Sequence, residues 1–372
     1  MSSTVSARRR AAPLTLQHLR RQVLAASLPP PTTLARAVGA LGFVQADPIR
    51  FPARAQDLIL RHRVADYSAG DLERAFPRLK LEEDFLYAYG FMPRRIARLL
   101  HPRLDPDSAD GRFVPTGLAA ALLALAREQG PIHPSALANR FGRERTVNPW
   151  GGLSKTTTRA LQRLHHYGYL RVSARQGGIR IYDAAAPHPD ALPPQTRARR
   201  LVLQVARILS PVSDKSLRAA LALFARRNPG LGVQASLREL MRDGVLASAE
   251  VDGETYLWPA ALGPLDRREP PEMVRLLSPF DPIVWDRRRF EHPWGWAYRL
   301  EAYTPVAKRL RGYYAMPLIF RDRVIGWANV ANAGGALQVD VGFAGKAPRE
   351  KAFRVAFDDE VARLQRFLRL PG

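Results

Sequence analysis

Twice along this chain, three helical segments end at a glycine and lead into two short alternating strands around a turn. In the first pass the helical segments are 117–129, 136–141 and 154–167; Gly168 breaks the third, and Tyr169–Arg175 and Ile179–Tyr182 flank Gln176-Gly177-Gly178. In the second they are 197–209, 213–227 and 235–243; Gly244 breaks the third, and 245–251 and 254–258 flank Asp252-Gly253. Helical apolar spacing that switches to period two around a glycine turn predicts three helices and a β-hairpin. That order is a winged helix, a helix-turn-helix variant whose third helix fits a groove of a duplex. Its recurrence supports each instance.

The rest of the chain arranges itself around these two units. Residues 1–13 read as a disordered basic tail, and 14–110 as a mostly helical unit. Pro29–Pro31 halt its first helix, Thr32 or Thr33 caps the second, and Gly42 ends it. The two winged helices occupy 111–190 and 194–262. Residues 272–372 alternate short β-prone stretches (296–303, 312–320, 323–328, 335–341) with turns, then finish in an amphipathic helix from 352 to 370. The expected fold class is α+β: tandem winged-helix domains followed by a small antiparallel β-barrel.

Charge narrows the function. A formal net charge of +23 on 372 residues makes nucleic acid the first partner to consider. Only six of the basic residues are lysine. Arginine offers planar forks to phosphates and base edges, although GC-rich codon usage produces the same skew. With no cysteine, thiolate chemistry, disulfides and cysteine-based metal sites are excluded. The eight histidines show no ligand spacing, and adjacent His165 and His166 diverge on a helix, so neither metal nor cofactor is expected. No apolar run spans a bilayer, and no heptad segment suggests a dimer. These features point to a cytoplasmic, nucleoid-associated monomer on double-stranded DNA.

One carboxylate stands out against this cationic background. The run Leu41-Gly-Phe-Val-Gln-Ala-Asp-Pro-Ile-Arg50 holds Gln45 and Asp47. The pattern Gln-x-Asp is cheap, expected about once by chance in such a chain, and it recurs at Gln338-Val339-Asp340. Its surroundings carry more weight. Ala53-Arg54-Ala55 and Leu58–Arg61 follow it, and near the C-terminus come Leu276-Leu-Ser-Pro-Phe-Asp281, Trp285-Asp-Arg-Arg-Arg289, Trp294-Gly-Trp296, Glu301-Ala-Tyr-Thr-Pro305, Lys308-Arg309 and Gly312-Tyr-Tyr314. Together these resemble the YcaQ/AlkZ-like DNA glycosylases, over most of the chain. The resemblance implies monofunctional excision of alkylated bases of the N7-alkylguanine type, including interstrand crosslinks.

Under that resemblance Asp47 serves as base and as counter-charge to an oxocarbenium-like sugar, and Gln45 positions the water or the sugar. An N7-alkylated purine is already a cationic leaving group. The segment has no lysine, which argues against Schiff-base chemistry. Arg50, Arg54, Lys155, Arg159, Arg163 and Arg175 are the expected DNA contacts, with Lys155, Arg159 and Arg163 at i, i+4, i+8 of one helix. Trp285, Trp294, Trp296, Tyr313 and Tyr314 are expected as barrel core rather than base platforms.

Two alternatives accompany this reading. Asp47 can instead cap the turn before Pro48, and the protein can be a non-enzymatic winged-helix DNA-binding or regulatory protein. The chain also departs from the family pattern. Pro48 and Arg50 stand where relatives commonly carry Ser or Thr and then Asn; Tyr87-Ala88-Tyr89 replaces a His-Glu pair; and Gly326-Trp-Ala-Asn-Val-Ala331 replaces a polar barrel strand. A divergent member with its own lesion preference, or an inactive one, fits these changes.

Overall fold

The computed structural model describes residues 14–142, 144–147, 153–186, 192–263 and 269–370, so the basic tail lies outside the described residues. Helix Leu16–Ser27 opens the described chain, with Thr15 in a capping box with His18. Helix Leu34–Leu41 follows Thr33 and ends at Gly42, whose φ of 75° is the left-handed conformation a helix stop requires. Beyond it comes a strand, Val44–Gln45, and it is not alone. It pairs with Tyr89–Pro93, which pairs with Leu81–Phe85, all antiparallel. The unit expected to be mostly helical therefore holds a three-stranded sheet. Gly90 makes the pairing possible, because a Cβ there would come 2.3 Å from the Val44 carbonyl oxygen and 2.9 Å from Gln45 Cα.

Both helix-helix-helix-hairpin passes are present. The first comprises Gly117–Gln129, Ala138–Phe141 extended by a 3-10 turn at Pro134–Leu137, and Thr156–His166. Its hairpin is Leu170–Gln176 with Ile179–Ala184. The second comprises Pro194–Ile208, Asp214–Arg227 and Val233–Arg242, with Leu246–Val251 pairing Glu254–Pro259. One expected start is corrected. The helix expected from residue 154 begins only at Thr156, because Leu153–Lys155 pairs as a strand with Arg145–Val147. Lys155 is therefore off the helix, and the row with Arg159 and Arg163 is not a three-residue helical face.

The C-terminal barrel is also corrected, to an open sheet. Four antiparallel strands run in sequence order, Val274–Leu276, Met316–Phe320, Arg323–Ala333 and Ala336–Phe343, and the first and last do not pair. Closure is pre-empted at the first edge. There Leu276 N–H donates to Glu360 at 2.8 Å, the Leu276 carbonyl accepts from Arg61 at 2.9 Å, and the Val274 carbonyl accepts from Arg363 at 3.0 Å. Side chains satisfy the backbone groups that another strand would have used. Glu360 and Arg363 come from the last helix, Lys351–Leu368. The expected strand at 296–303 is irregular and follows a helix, Arg287–Trp294, capped by Asp286.

The N-terminal unit forms the junction. Every residue of helix Ala55–Leu60 is buried. One core joins it to the first hairpin unit and the C-terminal sheet, and a second joins Phe43 and Leu86–Leu100 to the second hairpin unit. Just past the helix, Arg63 forms a two-pronged bond to Asp281 at 2.7 and 3.0 Å, with neither side chain exposed.

Candidate active site

Asp47 sits where the Val44–Gln45 strand gives way to a loop that holds Pro48 and Pro52. Its Oδ1 accepts the Ile49 N–H at 2.9 Å, an Asx turn that fixes the side chain. Among the described residues no group bonds Oδ2, and no cation lies within ion-pair range of the carboxylate. The group is half-buried, and burial raises its pKa above that of an ordinary aspartate, against the lowering effect of the Ile49 bond. Gln45, on the Val44–Gln45 strand, keeps a buried Oε1 with no hydrogen-bond partner among the described residues.

Asp47 lines a cleft of about 580 Å³ between the N-terminal loop and the first hairpin. Among the described residues it is the only acid in the lining, which also includes Arg50, Arg54, Arg175 and Arg180. The hairpin turn is seated on the loop. Gly178 N–H donates to Glu73 at 3.0 Å, Glu73 pairs with Arg54, and Arg50 reaches the Gly177 carbonyl at 3.4 Å. Gly178 adopts φ 89°, and a Cβ there would meet Arg54 Nη2 at 2.4 Å. Beneath the cleft, the unexposed carboxylate of Glu83 takes both prongs of Arg175 at 2.6 Å and the Tyr89 hydroxyl at 3.2 Å, with Arg180 at 3.8 Å. Arg180 also lies over the Tyr89 ring at 4.0 Å. Burial lowers the pKa of Arg180, but Tyr89, Tyr182 and Glu83 outweigh it, so its charge is held fast.

The sequence matches the AlkZ-like DNA glycosylase family over residues 38–367. The chain belongs to that family. Its fold is similar to the Streptomyces sahachiroi DNA glycosylase AlkZ, with a TM-score of 0.61 at 16% identity over 95% of this chain and 97% of that one. At that identity the likeness concerns the fold.

Of the site residues expected from the sequence, the cleft gathers Asp47, Arg50, Arg54 and Arg175, and Gln45 is not in its lining. Arg54 and Arg175 are nevertheless engaged by Glu73 and Glu83, and Arg50 is the exposed one of the three. Helix Thr156–His166 presents Thr158 and Gln162 to the cleft, not its arginines. Arg163 instead stacks over Phe113 at 4.5 Å and lies 3.5 Å from Asp105, while Lys155 and Arg159 are exposed outside the lining. Glu83, Tyr89 and Arg180 went unread because nothing local links residue 83 to a hairpin some 90 positions on. The aromatic residues are packed: Trp285 on Tyr87 at 4.5 Å, Trp296 on Tyr298 at 5.8 Å, Trp294 bonded to the Asp322 carbonyl at 2.9 Å, and Tyr314 buried. Among the described residues no helix is long and apolar enough to cross a membrane.

Proposed function

We propose that this protein is a monofunctional DNA glycosylase, a monomer acting on nucleoid DNA in the cytoplasm. It would hydrolyse the N-glycosidic bond of alkylated purines of the N7-alkylguanine type, with interstrand crosslinks within its range. The observation that carries the reading is Asp47: a half-buried carboxylate with one oxygen fixed and, among the described residues, the other unbonded and no second acid in an arginine-lined cleft.

N7 alkylation gives the purine a positive charge, so the base departs without needing a proton. The work left is to stabilise positive charge developing on the sugar and to deliver water. Asp47 does the first through its charge in a partly desolvated site, and the second by accepting a proton from water as it attacks. The unpartnered Gln45 Oε1 is an acceptor for the same water or for the sugar. Arg50 and the turn at Gly177-Gly178 provide donors for the phosphates on either side. The two helix-hairpin units act as tandem winged helices (111–190 and 194–262) that hold the duplex, Lys155, Arg159 and Arg163 among the outer phosphate contacts.

The test is a duplex with one N7-methylguanine, scored for alkali-labile abasic sites. Asp47→Asn is expected to lose about 100- to 10,000-fold in excision rate while keeping its DNA affinity, and Asp340→Asn to lose nothing. Equal excision by Asp47→Asn would return Asp47 to the role of turn cap. No abasic product from this duplex or from a bulkier N7 adduct, with tight binding to undamaged sequence, would establish the non-enzymatic DNA-binding reading.

A further inference from the structure

The three most exposed large apolar side chains among the described residues stand together. Tyr303 and Leu310 are 82% exposed and Val306 76%, while none of the other exposed large apolar side chains exceeds 66%. A cluster of this kind marks a contact surface. It is too small for a stable protein interface, which needs about 800 Å² per partner.

The segment that bears it is held in shape. Glu301 Oε2 accepts the backbone N–H groups of Leu310 at 2.9 Å, Arg311 at 2.9 Å and Gly312 at 3.2 Å, closing a loop at its neck. Arg309 donates to the Thr304 carbonyl at 2.8 Å, and Asn329 to the Arg311 carbonyl at 2.6 Å. A 3-10 turn, Val306–Lys308, forms the tip. At Gly312, with φ 119°, a Cβ would sit 2.4 Å from Asn329 Oδ1, so the neck packs tightly against the sheet. The apolar tips thus point outward with their ordering entropy already spent.

The neck adjoins the cleft. Tyr313 meets Phe51 edge-on at 5.5 Å. Burial first, and then the charge of Asp47, raises the phenol pKa of Tyr303, so the carboxylate and this ring share one neighbourhood. Lys308, exposed, ends the turn at the tip, between Val306 and Leu310 in sequence. A cation set among apolar side chains suits a ligand with flat apolar faces between anionic rails, and stacked bases between phosphates are such a ligand.

The geometry points to a wedge: Tyr303, Val306 and Leu310 enter the base stack of duplex DNA from the minor groove beside the lesion, and Lys308 holds a flanking phosphate. This rests on the proposed DNA substrate. Apolar side chains driven between base steps unstack and kink a duplex, which would open the glycosidic bond to Asp47.

The probe is a duplex with 2-aminopurine next to N7-methylguanine. Binding of the uncleaving Asp47→Asn protein is expected to raise the fluorescence severalfold. Adding Tyr303→Ser and Leu310→Ser should abolish that rise with DNA affinity retained within about threefold. In the active protein the same pair should cut excision from the paired duplex at least about tenfold, but excision from a single strand less than about threefold. Both side chains are exposed, so an unchanged melting temperature is the folding control. A fluorescence rise that survives the double substitution overturns the wedge, as does a double variant that excises the paired duplex at full rate or loses only a self-association. If the unsubstituted protein excises nothing yet brightens the probe through Tyr303 and Leu310, the glycosylase reading fails and the wedge stands.

Discussion

The two helix-hairpin units share an element order and differ in what their hairpins grip. The first hairpin is gripped through charge: Arg175 and Arg180 anchor on buried Glu83, and its turn rests on the Arg54–Glu73 pair. The second is gripped through apolar surface. Val251, Tyr256 and Trp258 pack against Leu19 of the opening helix, and the polar links are part-buried or exposed: the Tyr256 hydroxyl with His292 at 2.8 Å, Lys215 with Glu254 at 2.6 Å, and His292 with the Asp252 carbonyl at 3.3 Å. Element order sets local shape, and the outward side chains of each strand decide what that shape serves. A hairpin fixed by charge can wall a cleft for an anion, whereas one fixed by apolar packing serves as scaffold.

The largest effect that could break this contrast is Glu83→Ala. It leaves two guanidinium groups without their carboxylate and should cost about 3–5 kcal/mol. Tyr256→Phe removes one hydrogen bond from the second hairpin and should cost about 1 kcal/mol. Urea unfolding of the two variants compares them directly, and equal costs would erase the distinction. Smaller is the difference between the turn glycines. Gly253→Ala pays only for its positive φ, about 1 kcal/mol, since nothing lies within 4 Å of the new Cβ. Gly178→Ala pays that and also displaces Arg54, so its melting temperature should fall further and its excision rate with it.

The smallest effect is in pH dependence. The fold raises the pKa of Asp47 through burial, so between the unfolded and folded values the native state binds more proton than the unfolded chain. The contribution of Asp47 to stability therefore declines as pH rises through that interval. Asp47→Asn keeps the bond from Ile49 and loses this penalty, so at neutral pH it should unfold no earlier than the parent. The parent's excision rate should climb with pH about a midpoint above about 3.9, the value of a free aspartate. A flat profile from pH 4 to 7 would remove the ionised carboxylate from the reaction.

What could be read ahead of the structure follows from how local each signal is. Both hairpins were legible because alternation and a glycine turn lie within a dozen residues. The Leu81–Pro93 hairpin was not. Its first strand carries Glu83 and Asp84, both buried, and consecutive acids look like surface until Arg175 and Arg103 arrive to pair them. Closure of the C-terminal sheet was misjudged for a similar reason, since Glu360 and Arg363 occupy its edge from a helix far along the chain. Asp47 was legible as a residue but not as a site. The same Gln-x-Asp pattern at 338–340 leaves Gln338 and Asp340 exposed on a sheet edge, and it takes the distant hairpin to wall Asp47 into a cleft.

The arginines that follow helix Ala55–Leu60 also set a timetable. Arg61 and Arg63 meet their carboxylates 299 and 218 residues further on. As the chain leaves the ribosome, both emerge as lone charges for which burial is prohibitive. At about 5–20 residues per second, Glu360 follows Arg61 by about 15–60 s. The segment bearing Asp47 is made among the first and settled among the last, so under the proposed function a half-made chain would hold no working carboxylate to turn on the nucleic acid around it.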